Sequence, residues 1–105
     1  MVNNKRDEIR KIDKNDSRVE MQPATSEMAY LFKLRDFSKT GLGILVKENS
    51  DILKQINIGD ILDMKYYPFE EKAQPRLLKT QIRHISMPEP GKHKKHMVVG
   101  LYIMD

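Results

Sequence analysis

The stretch "LRDFSKTGLG" holds the residues best suited to chemistry: Asp36, Ser38 and Gly41, spaced as D-x-S-x-x-G. In an extended chain, residues two apart point to one side, so Asp36 and Ser38 can reach a single ligand together. An ionised carboxylate accepts two hydrogen bonds, and a hydroxyl donates or accepts beside it. Guanine offers a matching pair of donors, its ring N1–H and its exocyclic amine. Gly41 is free to take a positive φ and turn the chain, and it leaves room for a flat base. A hairpin loop in which Asp36 and Ser38 bond only their own backbone accounts for the same residues.

A second pair lies near the N-terminus. "KRDEIRK" carries Arg6 and Arg10 as R-x-x-x-R. An arginine fork bonds two acceptors at once, such as phosphate oxygens or guanine O6 and N7, and its flat face stacks on a base. The four-residue offset puts both on one side of a helical or an extended arm. In an extended arm they stand ~13 Å apart, enough to hold separate parts of a dinucleotide. Asp7 and Glu8 lie between them and Lys5 and Lys11 flank them, so a solvated charge cluster is the alternative.

These residues need elements to position them. Residues 1–17 are dense in charge of both signs, with Met1, Val2, Ile9 and Ile12 as their only sizeable apolar side chains. So little apolar surface does not offset the entropy of ordering, which predicts a flexible arm. Residues 18–105 read as one barrel domain. Strands are expected at "RVEMQ", "MAYLFKLRD", "LGILVKE", "DILDMKYY", "RLLKTQIRHIS" and "MVVGLYIMD", with Pro23 and Pro68 as stops. Ile82 and Ile85 fall on opposite sides of a regular alternation, so a bulge is expected to reconcile them. Gly100 predicts a bulge or a close contact. Ser50 as N-cap, Asp51 in the first turn, and Ile52, Leu53 and Ile56 on one face predict a short helix or helical turn. Six short strands without intervening long helices predict an all-β fold, a small six-stranded antiparallel β-barrel.

Composition narrows the function. The chain has 105 residues, enough for one domain with a modest core. Lys and Arg outnumber Asp and Glu by 19 to 15, a mild excess compatible with an anionic ligand. The lack of cysteine excludes disulfides, thiolate metal sites and cysteine nucleophiles. No apolar stretch approaches a membrane span and the N-terminus has no secretory pattern, so a cytoplasmic location without membrane insertion is expected. Lys92, His93, Lys94, Lys95 and His96 read as a solvated loop. No cysteine or nearby carboxylate completes a metal set there, and no metal is expected. No nucleophile has an obvious base partner and no phosphate-binding glycine loop occurs, so no catalysis is expected. His84 is the histidine that could approach Asp36 and Ser38 in three dimensions.

An R-x-x-x-R arm, then a strand, then D-x-S-x-x-G between two strands, all in a small barrel, resembles the PilZ domain family, bacterial receptors for the second messenger cyclic di-GMP. "LRDFSKTGLGILV" resembles the family's passage from second to third strand. "INIGDILDMKYY" resembles the next segment, and "MVVGLYIMD" the closing strand, with Gly100 at the glycine usual there. The resemblance implies that Arg6 and Arg10 grip phosphate and the Hoogsteen edge of guanine. It implies that Asp36 and Ser38 bind a guanine base, and that Gly41 shapes the turn beside it. Lys5, just before the first arginine, holds the position that influences how many ligand molecules bind. The implied function is reversible binding of cyclic di-GMP, without a cofactor. The signal would pass to an unidentified downstream protein by ligand-induced rearrangement. Two alternatives stay open. One is a PilZ-like protein-interaction module that binds no nucleotide, for which Asp7 and Glu8 speak. The other is a small barrel for single-stranded nucleic acid. It needs exposed aromatic platforms, and many of the seven aromatic residues are placed as core.

Overall fold

The computed structural model describes residues 11–12, 17–22, 28–68, 74–88, 90–91 and 94–104. Their strands are β1 (Lys11–Ile12), β2 (Arg18–Met21), β3 (Tyr30–Phe37), β4 (Gly41–Lys47), β5 (Ile61–Tyr67), β6 (Arg76–Ser86) and β7 (His96–Met104). All pairings are antiparallel. Six strands run in the order β3-β2-β5-β6-β7-β4, and β4 pairs back to β3, which closes an all-β barrel. Closure removes the free edges that an open sheet of this size would expose. The architecture is the six-stranded barrel expected from the strand pattern.

The seventh strand is a short extension. β1 and β2 lie one after the other along the same edge of β3: β2 opposite Tyr30 to Lys33, β1 opposite Asp36 and Phe37. Next to β2 the Leu34 N–H donates to the Ser17 carbonyl at 3.0 Å, which extends the β2–β3 pairing by one residue. Two residues of the expected arm, Lys11 and Ile12, thus run beside Asp36. Lys5, Arg6 and Arg10 lie outside the described residues.

Alternation along each strand sends one set of side chains inward. Phe32 and Leu34 of β3, Leu42, Ile44 and Val46 of β4, Ile82 of β6, and Val99 and Leu101 of β7 share one buried cluster. Each such side chain contributes ~1.5–3 kcal/mol on burial. Ile52 and Ile56, from the connection between β4 and β5, join the same cluster. Ile52 is carried by a single 3-10 turn at Asp51–Lys54, where the Ser50 hydroxyl accepts from the Ile52 N–H at 3.4 Å, and Ile56 follows just beyond the turn. The cap expected at Ser50 is therefore present, on a turn shorter than a regular helix. Among the described residues, no helix is long and apolar enough to cross a membrane.

Two strands break their alternation. In β6 the register shifts between Ile82 and His84, leaving Arg83 as the extra residue, so Ile82 and Ile85 both reach the core. The bulge expected between the two isoleucines is there. In β3 the register shifts between Leu34 and Asp36, with Arg35 as the extra residue. This second bulge was not foreseen, and it governs the site.

Candidate functional site

Without the bulge, Asp36 would follow Phe32 and Leu34 into the core. With it, Leu34 pairs with Ile44 and Phe37 with Leu42, both inward pairs, while Asp36 pairs with Gly43. Gly43 alternates with Leu42 and Ile44, so it faces out of the barrel, and a directly opposed pair shares one face. Asp36 therefore stands on the outer wall. It is nonetheless only 6% exposed.

A carboxylate this deeply covered needs a counter-charge or donors. Arg35 supplies both: its Nε donates to Asp36 Oδ2 at 2.7 Å, and its Nη2 lies 2.5 Å from the same oxygen. Neighbouring residues in a regular strand point to opposite faces and do not make such a pair. The bulge brings Arg35 round to the side of Asp36. The other carboxylate oxygen, Oδ1, lies over Gly43, 2.6 Å from where a β-carbon on that residue would sit. Gly43 is thus required by the space Asp36 occupies.

Ser38 continues the same ladder. Its N–H donates to the Gly41 carbonyl at 2.9 Å, which closes the β3–β4 hairpin around Lys39 and Thr40. Ser38 stands opposite Gly41 as Asp36 stands opposite Gly43, so the two polar residues share a face as expected. Gly41 differs from expectation. It does not take a positive φ; the described residues that do are Gly59, Gly91 and Lys95. The reason is its place in the ladder: Gly41 is already paired with Tyr102 of β7, where the backbone must be extended.

The outer wall beyond Asp36 is poor in side chains. Gly43 is paired with Gly100 of β7, and Gly100 with His84 of β6. A β-carbon on Gly100 would overlap the His84 imidazole, whose Cε1 is 2.6 Å away from that point. The close contact expected at Gly100 is therefore made, with His84, and the bulge lies in the partner strand. One row, Asp36–Gly43–Gly100–His84, runs across four adjacent strands. Of its members, only Asp36 was read as a site residue from sequence. A signal for Arg35 and Gly43 did exist: Leu34 and Phe37 are as far apart as Ile82 and Ile85, and they break the alternation in the same way.

No family model and no curated protein matches the chain. Solved structures do. The chain is similar to the Inhibitor of motility (MotI/DgrA) of Bacillus subtilis, with a TM-score of 0.70 and 16% identity over 93% of this chain and 42% of that one. It is also similar to the PilZ domain with c-di-GMP of YcgR from Escherichia coli, with a TM-score of 0.69 and 13% identity over 93% of this chain and 76% of that one. The chain spans less than half the length of the first. The barrel is a PilZ-like fold.

Proposed function

We propose that this protein is a cytoplasmic receptor for cyclic di-GMP. Arg6, Arg10, Asp36, Ser38 and Gly41 hold the ligand, and Lys5 bears on how many ligand molecules bind. Binding is reversible and no chemistry is done on the ligand. The observation that carries this reading is the register of β1. Ile12 is paired with Asp36 and Lys11 with Phe37. Arg10 is the residue that precedes Lys11 in the sequence. In the sequence, the R-x-x-x-R motif leads directly into the strand that is paired beside Asp36. The likeness to a PilZ domain solved with cyclic di-GMP supports the same ligand.

The chemistry follows from the two ends of the site. Asp36 accepts the N1–H and amine of guanine, and the arginines meet phosphate and the Hoogsteen edge. β1 is two residues long, a slight attachment to β3. A ligand that ties Arg6 and Arg10 to the wall would reshape that edge, and a partner protein would read the new surface.

One observation favours a second reading. Asp36 Oδ2 is already engaged by Arg35. A carboxylate held for structural reasons suits a PilZ-like interaction module that binds no nucleotide. Calorimetric titration with cyclic di-GMP, beside GMP and cyclic di-AMP, separates the two. The receptor binds cyclic di-GMP in preference, and Asp36→Ala loses the preference for guanine over adenine. Arg10→Ala weakens binding by about 10- to 100-fold, as expected for a lost charge-assisted contact of ~1.5–3 kcal/mol. A parent protein that binds none of the three is the interaction module.

A further inference from the structure

His84, the histidine that the sequence allowed to approach Asp36 and Ser38 but that was not read as a ligand-binding residue, stands on the same wall as Asp36. Its imidazole rests on Gly100 as the Asp36 carboxylate rests on Gly43. Because Gly43 and Gly100 are direct partners, the ring and the carboxylate lie above neighbouring strands, about 5 Å apart in the strand-to-strand direction. His84 itself is exposed, and the Ser86 hydroxyl lies 3.4 Å from its Nδ1. With that hydroxyl donating, Nε2 bears the ring proton.

Arg83, the extra residue of the bulge, adds charge beside it. Its Cζ lies 4.6 Å from the centre of the Tyr102 ring, and among the described residues it makes no ion pair. A guanidinium held flat on a ring keeps its in-plane N–H groups available for an anion. The outer wall thus has an acceptor at one end, donors at the other, and no side chain rooted between them.

We propose that His84 contacts the same nucleotide as Asp36. Nε2 donates to an acceptor on the ligand whose donor edge meets Asp36, and Arg83 supplies positive charge to its phosphate. This assignment rests on the receptor reading and extends it by two residues of β6, so that the ligand spans four strands of the wall. Gly100 belongs to the same device, since any β-carbon there would lift the ring away.

The test is a calorimetric titration of cyclic di-GMP into the full chain and into His84→Ala and His84→Gln. Unfolding curves are recorded first, to show that each variant keeps the parent's transition. The alanine variant should bind about tenfold more weakly, the size of one lost hydrogen bond to a charged or strongly polar ligand group. The glutamine variant, which retains an N–H donor, should recover most of the loss. In the parent, the His84 Cε1–H resonance should move on addition of cyclic di-GMP. That measurement decides the matter if the alanine variant does not fold. A parent that binds while the alanine variant binds equally, or while the His84 resonance stays still, overturns the inference and leaves the receptor standing. A parent that does not bind cyclic di-GMP overturns both.

Discussion

The bulges of β3 and β6 are the same departure from regular pairing put to different use. Each inserts an arginine, turns the next residue outward and lays that residue over a glycine of the neighbouring strand. Beyond that they part. Asp36 is buried and its bulge arginine folds back onto it, whereas His84 is exposed and its bulge arginine turns away to Tyr102. Charge explains the difference. A covered carboxylate without a cation is costly, so the geometry of β3 is organised around neutralising it. An exposed imidazole makes no such demand, and Arg83 is left to pack on an aromatic face. The lesson is that one backbone device produces a rigid polar centre where the side chain is buried, and an adaptable one where it is not.

The largest expected effect tests that contrast directly. Arg35→Ala leaves the Asp36 carboxylate without its guanidinium. The loss should be about 2–3 kcal/mol, below the ~3–5 kcal/mol of a fully enclosed pair because the Arg35 side chain is 29% exposed. Arg83→Ala should lose only ~0.5–1 kcal/mol, the scale of one exposed cation–π contact. Urea unfolding of both variants checks the pair. Equal losses would mean that the two bulges are equivalent after all.

The glycines give the next effect. Gly43→Ala drives a methyl group into Asp36, which Arg35 holds in place, and should cost ~1–3 kcal/mol. Gly100→Ala meets a ring that can swing into solvent, and should cost less than about 1 kcal/mol. Adding Asp36→Ala to Gly43→Ala should erase most of the first penalty, a coupling that thermal melts of the double-mutant cycle would detect. Independent, additive losses would show that Gly43 serves some other neighbour.

The smallest effect belongs to the exposed bulge. Ser86→Ala removes one hydroxyl 3.4 Å from the His84 ring, and should shift stability by no more than ~0.5 kcal/mol. A larger loss, measured in the same urea series, would mean that β6 is as tightly organised as β3.

The amino-acid sequence by itself determined the six barrel strands, much of the core and one of the bulges, whereas β1 carried no strand signal. Alternating apolar residues place Leu42, Ile44 and Val46 on one face whatever surrounds them. Ile82 and Ile85 cannot both be buried in a regular strand, so the irregularity in β6 is written in their spacing. The capping role of Ser50 is equally local. The D-x-S-x-x-G and R-x-x-x-R residues were legible as types and spacings. What they face was not. Period-two alternation reports the side of a residue on its own strand, and it is silent on which strand lies next and in what register. Closing β4 against both β3 and β7 decided that Asp36 meets Gly43 and that Gly43 meets Gly100, and pairing β6 with β7 decided that His84 completes the row. The tertiary fold also decided that Lys11 and Ile12 pair beside Asp36. Asp36 meets Gly43 through a local hairpin, but the contacts of Gly43 with Gly100 and of β1 with β3 join segments distant in the chain, and only the tertiary fold brings them together.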